Sequence, residues 1–129
     1  MEKIKSKEVV RQESILRHNS GEEFLRMVID VDMIDSHMAP TLKSEMVWYV
    51  NQDDAMPVLL DMSKVKYIDS QGLSFILVTN RLHKDKERAL FFLFSEELLE
   101  ERSMLDSSLC LGILPFVTDL DEFKIVNIL

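Results

Sequence analysis

Val58-Leu59-Leu60-Asp61-Met62-Ser63-Lys64-Val65-Lys66-Tyr67-Ile68-Asp69-Ser70-Gln71-Gly72-Leu73 is the stretch on which the reading of this chain turns. Val58 to Asp61 is an apolar run with no polar alternation, the pattern of a strand buried on both faces and therefore central in its sheet. Leu73 to Leu82 has the length and composition of a helix. Between them Ser70 is placed to act as N-cap, offering its hydroxyl to the unpaired amides of the first turn. Gly72 lets a second backbone, or a group docked at that helix end, come close. A strand, a loop and a small hydroxyl at a helix N-terminus make a place where a phosphate could be attached or read.

Toward the N-terminus, Val9 to Arg17 and Phe24 to Val31 read as two strands around the turn Asn19-Ser20-Gly21-Glu22, giving a hairpin. In the second strand Leu25, Met27, Ile29 and Val31 are uniformly apolar and are expected to face the core. A helix follows, with Met38, Leu42, Met46 and Tyr49 at helical spacing. Asp35 or Ser36 can cap it, and Pro40 leaves its start open. Asn51-Gln52-Asp53-Asp54 ends it. Residues 1–7 are charged and expected to be frayed.

Toward the C-terminus, the helix after Ser70 is apolar on two sides, with Leu73, Ile76 and Leu77 on one and Phe75, Val78 and Leu82 on the other. Ala89 to Phe94 is a second wholly apolar strand, central for the same reason. Ser95-Glu96-Glu97 caps a helix with acids in its first turn, continuing through Leu98, Leu99, Leu105 and Leu109 to a stop at Gly112. Ile113 to Val117 is a last strand, marked as an edge by Pro115. Asp119-Leu120-Asp121-Glu122-Phe123 is expected to start a terminal helix. Strands alternating with helices after an opening hairpin give one α/β domain over residues 1–129, with a mixed central sheet and about four α-helices.

Fifteen basic against twenty-three acidic residues leave a net charge of −8. No Lys or Arg cluster survives to carry nucleic-acid backbone binding. The single cysteine, Cys110, lies between leucines and cannot form an internal disulfide. No apolar stretch approaches a membrane span, so the expectation is a cytoplasmic domain without membrane insertion. His18, His37 and His83 have no spacing that unites two as metal ligands, and no glycine-rich phosphate loop is present. His37 is close in sequence to Asp35 and could approach Ser70 in space, but there is no Gly-x-Ser-x-Gly elbow around that serine. The expectation is a non-enzyme with no cofactor.

The quoted stretch, with its apolar strand ending in Asp61, then Val65, Ile68-Asp69-Ser70 and Gly72-Leu73, resembles the signature of the STAS (sulfate transporter and anti-sigma factor antagonist) domain family, and within it the free-standing bacterial members. The predicted order β-β-α-β-α-β-α-β-α agrees with that family's fold. In those members the serine after the aspartate is phosphorylated by an anti-sigma factor kinase, and an aspartate at the end of the second strand lies beside it; those positions are Ser70 and Asp35 here. The resemblance implies an anti-sigma factor antagonist that binds an anti-sigma factor serine kinase, frees a sigma factor, and is switched off by phosphorylation of Ser70, with a phosphatase to reverse it. The partner contacts it implies are Asp35, Ser36, His37, Asp69, Ser70, Gln71, Gly72, Leu73 and Phe75. The alternative within the family is a scaffold, or a regulatory subunit of a signalling or transport complex, without a phospho-switch. Gln71 stands where many members have a small residue, and the region 103–108 is longer than usual. Nothing demands more than a monomer or weak dimer.

Overall fold

The computed structural model describes residues 9–100, 105 and 112–129. Strands β1 (Val10–His18) and β2 (Glu23–Ile29) form the expected hairpin, paired from Val10 opposite Ile29 to Arg17 opposite Glu23 with a one-residue register shift between Gln12 and Ser14. Gly21 turns the chain at φ 95°, a conformation that side-chain-bearing residues resist. Helix α1 (Ala39–Val50) follows a two-residue strand, β3 (Met33–Ile34). Next come β4 (Val58–Met62), a second two-residue strand β5 (Tyr67–Ile68), α2 (Ser70–Asp85) and β6 (Leu90–Phe94). The short helix α3 (Glu96–Leu99), β7 (Phe116–Val117) and β8 (Phe123–Ile128) complete the described elements.

The main sheet runs β7-β6-β4-β2-β1-β8. Strands β2, β4, β6 and β7 are parallel, while β1 is antiparallel to both of its neighbours. The fold is therefore mixed α/β, with the two strands that lack polar alternation, β4 and β6, inside the sheet. All five residues of β4 are buried, which is why its sequence lacks alternation. One sheet face carries Leu25, Met27 and Ile29 of β2 and Val58, Leu60 and Met62 of β4. It packs with Leu42, Met46 and Tyr49 of α1 and with Phe75 and Ile76 of α2. The other face holds a smaller cluster of Leu16, Phe24, Leu59, Leu93 and Phe123. There the rings of Phe24, Phe91 and Phe123 meet edge-on or tilted, with centroids 5.5 to 5.9 Å apart.

Four expectations are corrected. The acidic run Asp119–Glu122 starts a strand, not a helix. Asp119 Oδ1 accepts the amide of Asp121, the Phe123 amide closes a turn onto the Leu120 carbonyl, and Phe123 then drops into the smaller cluster. The β-branched residues Ile125, Val126 and Ile128 extend β8 along β1. Three helices have bounds among the described residues, against about four predicted, and Gly112 and Ile113 are helical as well. The helix at Glu96 ends at Leu99, because Glu100 is extended with ψ 152°. The predicted continuation through Leu109 to Gly112, including the long region 103–108, lies almost wholly outside the described residues. The last inner-edge strand is confined to Phe116–Val117; it is an edge, as Pro115 suggested. Finally, neither Asp35 nor Ser36 is the N-cap of α1. That place falls to Met38 with no side-chain cap, and Asp35 instead accepts the amides of His37 and Met38 in the turn before it.

Two polar groups inside the fold were not anticipated. Asp61, 1% exposed, receives Arg26 Nε at 3.0 Å and Nη2 at 2.6 Å on one oxygen, and the amide and hydroxyl of Ser63 on the other. His83 is buried on α2 with Nδ1 bonded to the Thr79 carbonyl, and burial lowers its pKa below the usual histidine range. The neutral ring is therefore the tautomer with its proton on Nδ1, donated to Thr79. None of the helices among the described residues is long and apolar enough to cross a membrane.

Candidate functional site

The stretch around Ser70 is held by a pair of two-residue strands, β3 and β5. Strand β3 pairs in parallel with β5, Met33 opposite Tyr67 and Ile34 opposite Ile68, so the next residues along, Asp35 and Asp69, emerge side by side. The Asp69 amide donates to the Ile34 carbonyl at 3.3 Å, tying the two chain ends together. Farther back, the Lys66 and Tyr67 amides both donate to the Asp32 carbonyl, and buried Ser95 anchors the preceding turn through the Val65 carbonyl at 2.6 Å. Ile34 and Val65 are both fully buried beneath this corner. Two-residue strands have little stability of their own. Here they persist because Ile34 and Val65 anchor them in the core and the first turn of α2 packs directly on them.

The N-cap of α2 is Asp69, not Ser70. Its Oδ1 accepts the amides of Gln71 at 2.8 Å and Gly72 at 3.0 Å. A carboxylate in that place also suits the positive end of the helix dipole. Ser70 is the first helical residue, is exposed, and its hydroxyl has no hydrogen-bond partner among the described residues. Asp69→Ala is accordingly expected to lower unfolding stability by about 1 kcal/mol. Ser70→Ala should stay within about 0.5 kcal/mol of the parent in the same urea titration. A reversed ranking would return the capping role to Ser70.

The other expected contacts divide by burial. Ser36, His37 and Gln71 are exposed, and Asp35 and Asp69 are partly so. Leu73 is half-buried against the core. Gly72 is buried, and Phe75 is 0% exposed inside the main core, so its ring anchors α2 from within and presents nothing at the surface. No hydrogen bond joins the His37 ring to Asp35 or Ser70 among the described residues, and both bonds received by Asp35 come from backbone amides.

Gly72 is required by approach rather than by dihedral angle. A Cβ on it would stand 2.5 Å from the Ile34 carbonyl oxygen and 2.8 Å from Ile68 Cβ. The first turn of α2 thus lies directly on the β3–β5 pair.

Sequence reasoning missed two features here. Met33 and Tyr67, the first cross-strand pair, are 44% and 63% exposed, an apolar step beside the two aspartates. Lys43 on α1 donates to Ser74 on α2 at 2.9 Å, one helical turn beyond Ser70. Ser74 is visible in the sequence as the i+4 neighbour of Ser70; the lysine arrives only through helix packing. Among the described residues no group of three His, Cys, Asp or Glu side chains is arranged to hold a metal ion.

A search of the curated proteins finds no match to this chain. A family model described as the STAS domain matches residues 12–102, which takes in most of the hairpin, the β3–β5 pair, Ser70 and all of α2. With that match over most of its 129 residues, and with this α/β architecture, the chain belongs to the STAS domain family.

Proposed function

We propose that the protein is a cytoplasmic anti-sigma factor antagonist whose binding to a serine kinase of the anti-sigma factor class is switched by phosphorylation of Ser70. The observation that carries this reading is the division of labour at the start of α2. Asp69 does the capping, leaving the Ser70 hydroxyl exposed and unpartnered on a turn braced by β3 and β5. A serine that its own fold does not need is available to an enzyme acting from outside.

In the unmodified state the corner formed by Asp35, Ser36, His37, Asp69, Ser70 and Gln71 docks on the kinase, with Met33 and Tyr67 as the apolar part of the contact. The kinase moves the γ-phosphoryl group of ATP onto Ser70 Oγ; the hydroxyl proton passes to a base of the kinase, and ADP leaves. The phosphoserine carries about −1.5 to −2 charges next to Asp69 and Asp35, inside a surface that must lose water to bind. A loss of roughly 3 kcal/mol by like-charge repulsion weakens binding more than a hundredfold. Within the domain the same phosphate sits at a helix N-terminus, where an anion is tolerated, so the fold survives the switch. A phosphatase acting on phospho-Ser70 restores the active form.

The test is capture of partners from the native lysate by wild type, Ser70→Ala and Ser70→Asp. Wild type and Ser70→Ala are expected to retain an ATP-binding kinase-like protein that Ser70→Asp releases. Equal retention of the same partners by all three would remove the switch and leave a scaffold or regulatory subunit of a larger complex.

A further inference from the structure

We propose that Lys43 is the internal counter-ion of a phosphate on Ser70, leaving Ser74 to bridge α1 to the first turn of α2 when that serine is modified. The inference rests on the reading of Ser70 as the modified residue and adds the group that would receive its charge. Ser70 and Ser74 are four residues apart in α2, which places them one above the other on the same helix face, roughly 6 Å apart. Helical side chains lean toward the N-terminus, so Ser74 Oγ points back toward Ser70. Lys43 Nζ lies 2.9 Å from that oxygen. The lysine is therefore already positioned over the first turn of α2, held by a neutral hydroxyl that competes poorly with a dianion for an ammonium group.

The placement follows from the fold. Both helices leave the same edge of the β3–β5 pair, α1 just after Asp35 and α2 just after Asp69. The two helices pack together, and the fifth residue of α1, Lys43, meets the fifth residue of α2, Ser74. The charged or titratable groups on the elements around Ser70 are Asp69 on its own turn, Tyr67 and Lys66 at β5, Asp35 and His37 in the turn before α1, and Lys43. Of the two fixed cations, Lys66 faces Glu97 at 3.8 Å, whereas Lys43 is bonded on the face of α2 that carries Ser70; Asp35 and Asp69 oppose a phosphate. Transfer of the lysine from Ser74 to the phosphate would offset part of their repulsion and fix the phosphate against α1, on a defined side of the docking corner.

Placing phosphoserine at position 70 during translation tests this without any kinase. The readout is the second ionisation of the phosphate, followed by its ³¹P shift against pH in low salt. In the wild-type background this ionisation is expected about half a unit lower than in Lys43→Met, and Lys43→Arg should restore the low value. Identical titrations in the wild-type and Lys43→Met backgrounds would overturn the proposal. Should Lys43→Met fail to fold, Ser74→Ala serves instead. Freed from the hydroxyl, the lysine should lower the ionisation further, and an unchanged value counts against it. Failure here leaves the phospho-switch standing, because partner release by Ser70→Asp needs no Lys43. Failure of the switch in the lysate leaves the titration result intact.

Discussion

Asp61→Ala should destabilise the protein by about 3 kcal/mol, the larger of two effects expected in the structure that carries Ser70. Asp61 is the only carboxylate in the buried strand β4, and each of its oxygens accepts two bonds. Removing one partner of a buried ion pair strands the other charge, at roughly 3–5 kcal/mol. The lower end of that range applies because the Arg26 side chain is 25% exposed and regains some water. The bonds to Ser63 matter separately. Ser63 opens the turn that leads through Val65 to β5, so losing them loosens the approach to the corner that carries Asp69 and Ser70 as well as the sheet. The pair Asp61→Leu with Arg26→Met removes both charges and should recover a good part of the loss. Urea unfolding of the two single variants and the double variant decides it. A loss below about 1 kcal/mol for Asp61→Ala would mean that the ion pair is merely tolerated.

Gly72→Ala should cost about 2 kcal/mol, against the ordinary trend. In an exposed helix, replacing glycine by alanine gains roughly 1 kcal/mol through propensity. Here the new methyl would be driven to 2.5 Å from a backbone carbonyl and 2.8 Å from Ile68 Cβ. Neither neighbour is free to move, since Ile34 is fully buried and the β3–β5 register holds both residues. Overpacking of this kind costs about 1–3 kcal/mol and is relieved by backbone shift. The shift would push the start of α2 off β3, separating Asp69 from Asp35. Thermal or urea unfolding reads the loss, and Ser70→Asp-sensitive partner capture reads the displacement. A neutral or stabilising Gly72→Ala would show that α2 does not press on that strand pair.

Both effects lie where sequence and structure differ in what they make visible. The buried strands β4 and β6 were legible from apolar runs without alternation, because a strand covered on both faces shows no period of two; the polar position in β4, Asp61, is held by Arg26 and Ser63. The hairpin followed from two strand patterns around a glycine turn. That a helix follows Asp69-Ser70 was also readable, although the reading of Leu73 to Leu82 fell short of its span, Ser70–Asp85. The error at the C-terminus has a clear cause: acids followed by mixed apolar residues suit a helix start, and only the cluster that takes in Phe123 decides for a strand. The strands β3 and β5 could not be read, since two residues carry no periodicity.

At the site itself, Ser70 and its flanking aspartate were found from the sequence, but their roles at the helix end were exchanged. Asp69 and Ser70 are both good caps by residue type. Which of them caps depends on the dihedral angles at the strand end, and the bond from the Asp69 amide to Ile34 holds Asp69 extended, just outside the helix. Local sequence therefore determined that the chain is an α/β domain with two buried central strands and a serine at the N-terminus of its main helix, because burial and helix starts are written in neighbouring residues. Tertiary structure alone decided that this serine stands free, that Asp35 emerges beside Asp69, that Asp61 holds Arg26 and that Lys43 reaches Ser74. Each of those depends on contacts between residues 30 or more positions apart, whose distances are set by packing and leave no trace in local pattern.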